Sequence, residues 1–496
     1  MDRLTQAPVE WLNEGPGRMS HRRQQRERAI RLCRDVHAGT LHMRDRADVY
    51  LPRFPKEDLT QYERRVDASV LFNAYKRTVG GLVGMVLRKP LAPTEPPSDA
   101  EDAVLADVDR SGRDLATFAS DLFADAWIDG HAIIFVDKPP VPEGATADEV
   151  RGVRPYFVIV RADDVLGFAT DRRAGTDVVV SLRWREFAVQ KDPEDRFLEK
   201  LVPRVREYRL TTDGEGHQRV EWELWELRAV RNERRWTSTG TGMLGSQMDE
   251  IPIGVAYTGR RATLDSEPPL LDLAAENVRH YQKLSDKDNA EHIACVPILA
   301  IVGADQEKIE NFSVGPTVGL QLGEGGDAKY VETTGAGAEA ARDSLKDSEH
   351  RMALLGLSML HSESRAAETA TSKRIDKSES DSQLSVAAAS LERALNRAFA
   401  LYAKWEGTEP ITVSVSRDFE NLLLDAQMVQ VLADLVPTKI SLDTFWERMR
   451  EGEVLPDSFD PELERERIES GDTQTLAALR RLVGRGRGRD GDEDDG

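Results

Sequence analysis

The sequence predicts an α+β fold, and three observations predict it. The chain of 496 residues is 40% hydrophobic and carries 36 glycines, so it can bury a sizeable interior. Up to about residue 265, helical apolar spacing gives way to short strands of alternating polarity. From Asp265 onward, long helical stretches bracket one strand and a Gly-turned hairpin.

The first fifty residues hold ten Arg against seven acids, densest in MSHRRQQRERAIRLCRD. Such a head is expected as a solvated helix face rather than a nucleic-acid contact. Between Tyr62 and Lys89, Val66, Val70, Ala74, Leu82, Val83 and Val86 predict one long helix or two abutting ones. Gly80, Gly81 and Gly84 there leave room for a closely packed neighbour. LAPTEPPSD (91–99) is a Pro-rich break. Asp114–Asp129 is a helix with Leu115, Phe118, Leu122, Phe123 and Trp127 on one side. It stops at Gly130, and HAIIFVD (131–137) follows as a buried strand. YFVIV (156–160), VVVSLRWREF (178–187), REYRL (206–210) and VEWELWEL (220–227) alternate as half-exposed antiparallel strands do.

Past Asp265, a Ser-x-Pro-Pro opening leads into a long helix striped by Leu270, Leu273, Ala274, Val278, Tyr281 and Leu284. CVPILAIVG (295–303) is a strand and VGPTVGLQLGEGGDAKYVE (314–332) a hairpin. A second long helix runs from about Ala338 to Leu360. The polar stretch 362–383 reads as a loop with a helical arm, and 384–405 as helix again, stopped by Gly407. ITVSVSRDF is a strand, and the remainder to about Val483 is helical. The tail alternates Gly and Arg, then turns acidic, as disordered tails do.

Composition narrows the function. The formal net charge is −21, which argues against a protein that grips phosphate backbones. Two cysteines, Cys33 and Cys295, exclude a disulfide framework and most thiolate metal sites and suit a reducing cytoplasm. No secretory pattern opens the chain, and its apolar runs are too short to span a bilayer, so no membrane is expected. Motifs narrow it further. Gly-Lys is absent, so there is no standard phosphate loop, and His-Glu-x-x-His and Gly-x-Ser-x-Gly are missing. Asp286 and Asp288 open like a calcium loop, but Glu291 stands where Gly belongs and Pro297 where the closing Glu belongs. GEGG (323–326) suits a hairpin tip better than a phosphate cradle. His131 lacks a sequence-local partner and is expected to be structural. No catalytic residue, metal site or cofactor is expected.

Four segments resemble the portal proteins of tailed bacteriophages, in the branch described as a phage domain of unknown function. They are YERRVDASVLFNAYKRTVGGLVGMVLRKP, WIDGHAIIFVDKP, PPLLDLAAENVRHYQKLSDKDNAEHIACVPILAIVG, and EHRMALLGLSML followed by ETATSKR. In order and spacing they span about residues 60–405. The resemblance implies a non-enzymatic, homo-oligomeric ring, normally of twelve subunits, at one capsid vertex. Double-stranded DNA passes through its channel during packaging and ejection. The implied partners are the major capsid protein, the terminase large subunit and a head–tail adaptor. The implied location is the virion, assembled in the cytoplasm of the bacterial host. The implied parts are a wing (1–265), a first stem helix (266–295), a β-hairpin clip (296–337), a second stem helix (338–361), a tunnel loop (362–383), a wing return with helical crown (384–480), and a disordered tail (481–496).

Charge along these parts suits a channel. Acids exceed bases six to three over 266–295, six to two over 296–337, four to three over 338–361, and five to four over 362–383. Glu339, Asp343 and Asp347 form an i, i+4 row and are the candidate acidic channel face; Arg342, Lys346 and Arg351 lie near enough to offset their repulsion. Lys373, Arg374 and Lys377, in the tunnel loop, are the candidate DNA contacts. Salt bridges to Asp376, Glu379 and Asp381 are the competing reading. Two other functions stay open: a different capsid or head–tail connector protein, and an enzyme with a carboxylate site that sequence does not single out.

Overall fold

The computed structural model describes residues 14–139, 146, 152–192, 195–230, 233–294, 298–302, 327–331, 336–356, 370–417, 441–451, 454–455 and 459–469. It has mixed helix and sheet, α+β in character. The chain divides into a large unit, Met1–Arg417, and a small one, Asp418–Gly496.

The large unit opens with helix α1 (His21–Ala38), whose Ser20 side chain caps the Arg23 N–H. Short helices α2 (Thr40–Asp45) and α3 (Ala47–Tyr50) follow. The segment expected as one or two helices is two, α4 (Leu59–Ala68) and α5 (Ala74–Val86). The break has a local cause: Asn73 accepts from the Lys76 N–H and starts a new helix. No neighbour packs on Gly80 or Gly84, where an added Cβ meets nothing within 4 Å among the described residues.

Strand β1 (Ala92–Pro93) and helix α6 (Asp99–Ala106) lead to α7 (Leu115–Asp129), which Asp114 caps. Gly130 ends α7 in the left-handed region, at φ 91°. It also leaves room for the chain passing over it, because a Cβ there would lie 2.7 Å from Ser266 Oγ. Strand β2 (His131–Asp137) begins at once, buried over six of its seven residues, which accounts for its unbroken apolar run.

Strand β3 (Tyr156–Arg161) pairs antiparallel with β2. Then β4 (Val165–Arg173), β5 (Thr176–Lys191), β6 (Glu199–Thr212), β7 (Gln218–Val230) and β8 (Glu233–Met243) form a sheet in chain order. Strand β9 (Ile253–Tyr257) returns to the other edge of β2, giving the order β3-β2-β9. Sequence alternation did not reveal β4, β8 or β9. The two sheets share one core, in which Phe135 meets Trp184 and Tyr208 at ring-centroid distances of 5.2 and 4.5 Å.

Short strands β10 (Arg260–Ala262) and β11 (Asp265–Ser266) pair before α8 (Leu271–Ala294). Strands β12 (Ile298–Val302) and β13 (Asp327–Val331) pair antiparallel, and α9 (Ala336–Leu355) follows. The expected turn at 323–326 lies outside the described residues.

Helix α10 (Ala370–Glu406) is continuous for 37 residues, about 55 Å at 1.5 Å per residue. Where a loop with a helical arm was expected over 362–383, the backbone is helical from Ala370 on; 362–369 lie outside the described residues. The second half of α10 buries Ala387, Leu391, Ala394 and Ala398. Small side chains let the helix come so near β9 that a Cβ on Gly254 would lie 2.4 Å from Ala394 O. Strand β14 (Val413–Ser414) pairs with β1, and Asn396 both donates to and accepts from the Val413 backbone. In the small unit, which holds α11 (Leu442–Glu451) and α12 (Pro461–Glu469), Trp446 of α11 makes an edge-on contact with Phe459, just ahead of α12.

Candidate functional site

The candidate site is the pair α8 and α9 with the strands between them. Its cross-helix contacts run in opposite order along the two helices. Glu276 meets Arg351, His280 meets Glu349, Lys283 meets Ser348 and Ser344, and Glu291 meets Arg342, so the pair is antiparallel.

Glu276 is the centre of this seam. Its Oε1 accepts from Ser348 Oγ at 2.6 Å and from the Arg351 guanidinium at 2.9 Å. Burial works against the Glu276 carboxylate, but the Ser348 and Arg351 hydrogen bonds outweigh it and hold its pKa below the ordinary value. Lys283 donates to Ser344 O at 3.2 Å and to Ser348 Oγ at 3.3 Å. Burial, then the Arg279 and Arg351 charges, lower its pKa. His280 is buried with its Nε2 3.5 Å from Glu349 Oε1, and burial lowers its pKa despite that carboxylate.

Helix α8 is also held from behind. Asn277, wholly buried, accepts from the Tyr75 N–H at 3.0 Å and donates to Phe72 O at 2.8 Å. It thereby closes the non-helical break between α4 and α5. The Tyr281 hydroxyl lies 2.6 Å from Ser69 Oγ, and Gln282 donates to Tyr50 O at 2.9 Å. Sequence reasoning missed Asn277. The signal was present, since it is a polar residue inside the apolar stripe of Leu270, Ala274 and Tyr281.

The acidic row Glu339, Asp343 and Asp347 is exposed on α9. Its expected counter-ions divide. Lys346 stays with Asp343, at 3.8 Å, and both are about three-quarters exposed, so the pair is weak. Arg342 and Arg351 instead cross to Glu291 and Glu276 on α8. Two of the three cations therefore staple the helices, and the outer face keeps its negative charge. Lys373, Arg374 and Lys377 occupy backbone positions in the first two turns of α10.

The basic head is only in part a solvated face: Arg18, Arg22 and Arg28 are exposed, but other arginines turn inward. Arg34 binds Asp129 through two nitrogens, at 2.8 and 2.6 Å, and Asp125 at 2.7 Å. Arg23 and Arg185 share Asp163, at 3.0 and 2.6 Å. Burial pushes the Asp129 carboxyl up to about 6 in spite of Arg34. These arginines tie α1 to α7 and to the turn before β4, an internal role that local composition does not signal.

Elsewhere, His131 is buried with Nδ1 2.6 Å from Ser266 Oγ, as a structural histidine would be. An open cleft of about 570 Å³ is lined by Arg34, His37, Arg113, Asp121, Asp125 and Arg161. Its arginines are engaged: Arg113 by Asp109 and Asp121, Arg161 by Asp164, and Arg34 as above. Among the described residues, no group of three or more His, Cys, Asp or Glu is placed to hold a metal ion. None of the described helices is long and apolar enough to cross a membrane.

Comparison with solved structures finds a likeness to the neck of a native GTA particle computed with C12 symmetry. It covers 80% of this chain and 89% of that one, at 14% identity and a TM-score of 0.36, too low to carry fold or function across. No curated protein matches the chain. Residues 269–406 match the family model described as "Domain of unknown function (DUF4055)", a span that takes in α8, both strands, α9 and α10.

Proposed function

We propose that the chain is a portal subunit, a non-enzymatic, ring-forming conduit for double-stranded DNA at one vertex of a tailed-phage capsid. The observation that carries this reading is the α8–α9 pair. Arg342 and Arg351, on the flanks of α9, serve as cross-helix staples, while Glu339, Asp343 and Asp347 remain exposed on its outer side. A polyanion passing such a surface finds no strong binding site, which favours sliding over sticking. The order of parts supports the same reading: a helix leads into one strand of an antiparallel pair, and the other strand leads into the returning helix. Within the ring reading, the β12–β13 pair marks the end that the terminase large subunit or a head–tail adaptor would dock on. The sheet-bearing body is the part that would meet the major capsid protein.

Electron micrographs of the purified protein test this directly. Rings with a central hole, normally of twelve copies, are expected. A chain that stays monomeric by light scattering over a wide concentration range would sink the reading and favour an enzyme of unrecognised chemistry.

A further inference from the structure

The β5–β6 hairpin outruns its sheet. Pairing with β4 ends at Trp184, and pairing of β6 with β7 ends at Arg204. Beyond these points, residues 186–191 and 199–203 pair only with each other, as a two-stranded ribbon. Such a ribbon is at best marginally stable alone in water. Phe187 stands opposite Pro203 and Val189 opposite Leu201, so these four share one face. The other face carries Glu186, Gln190, Lys200 and Arg204 around the single apolar pair Ala188 and Val202. The ribbon is therefore amphipathic. Its apolar side is open, with Phe187, Val189, Leu201 and, at the tip, Phe197 and Leu198 exposed by 38–79%.

A second apolar patch lies elsewhere on the same unit. Leu41, Val70 and Phe72 are exposed by 53–74%. The segments that bear them are pinned together, because the Leu71 N–H donates to Thr40 Oγ1 at 3.2 Å and Arg44 donates to Ser69 O at 2.7 Å.

We propose that the ribbon of one copy docks on the Leu41–Val70–Phe72 patch of the next copy. The proposal rests on the ring reading and names its contact. Two unlike patches on one chain are what a head-to-tail interface requires, and such interfaces close into rings. Area also favours a second copy. Taking about 200 Å² for a whole aromatic side chain, the ribbon leaves on the order of 450 Å² of apolar surface in water. A free-standing complex needs about 800 Å² per partner. The ribbon is too small to hold an independent partner, yet it suffices where other contacts of a closed ring reinforce it.

Two measurements on the full chain test this. In the first, Phe187→Ser/Val189→Ser/Leu201→Ser is compared with Ala188→Ser/Val202→Ser on the opposite face, by mass photometry over a concentration series. The apolar-face variant should raise the concentration needed for assembly by about tenfold or more, and the control should not. In the second, Phe197→Cys and Val70→Cys are combined. Oxidation should give a covalent ladder of copies that neither single variant nor the unsubstituted chain gives. If the unsubstituted chain forms rings, but the apolar-face variant assembles equally well and no ladder appears, the contact is wrong and the ring reading stands. A cross-link at monomer mass would place the ribbon on its own chain and also overturn the contact. If the unsubstituted chain never oligomerises, the ring reading fails and the contact fails with it.

Discussion

His131 begins β2 and is buried there, and burial takes its pKa from the ordinary value down to about 4. The unfolded chain binds a proton there near pH 6.5 and the folded chain does not, so folding stability is lost as pH falls from about 6.5 to about 4. A shift of that size corresponds to about 3 kcal/mol. Asp129 works the other way: its folded-state pKa of about 6 is raised, so its contribution declines as pH rises towards that value. The raw pH profile mixes the two, and the difference between variants separates them. In His131→Gln, urea midpoints should fall less steeply than those of the unsubstituted chain between pH 6.5 and pH 4. Equal slopes would mean that His131 is solvated in the folded state.

Asn277 is the hinge of the element scale. One amide accepts from the Tyr75 N–H at the start of α5 and donates to Phe72 O, which also accepts from the Ala74 N–H, and in doing so seats the long helix α8. Asn277→Ala would bury the Tyr75 N–H without its partner and leave Phe72 O only the Ala74 N–H, at a cost of about 2 kcal/mol. A lower denaturation midpoint with an unchanged slope is the expected result. A shift under a third of that size would mean that water replaces the amide. At the same scale, α10 shows how a polar stretch becomes helix. Ser, Thr, Lys and Asp between 370 and 383 lack apolar periodicity, but the stretch continues into a half that is packed on β9. Once that half is fixed, each further helical residue adds a hydrogen bond without a new nucleation cost.

For the whole molecule, charge location matters more than charge total. The net −21 suggested a protein that does not hold DNA, and the structure sharpens where that sign resides. Arg23 and Arg34 of the basic head are spent on internal pairs with Asp163, Asp125 and Asp129, and Arg342 and Arg351 of α9 on Glu291 and Glu276. On the portal reading, Lys373, Arg374 and Lys377 are the cations that meet DNA in transit. Changing all three to Glu should leave ring assembly intact, as seen by light scattering, and impair DNA packaging. Unchanged packaging would dispose of that contact, and lost assembly would assign the three to interfaces between copies.

Sequence alone determined the elements whose pattern is local. The helix–Gly–strand run at 115–137, the helical stretch from Leu271 and the returning helix from Ala336 were legible, because apolar spacing and a chain-reversing glycine report on a few neighbouring residues. The candidate acidic row was legible for the same reason. Tertiary structure alone decided where the cations go, which strands pair with β2, and that Asn277 closes a break some two hundred residues away. Each of these depends on a partner distant in sequence, and a side chain carries no record of which distant group will desolvate it or accept its hydrogen bond.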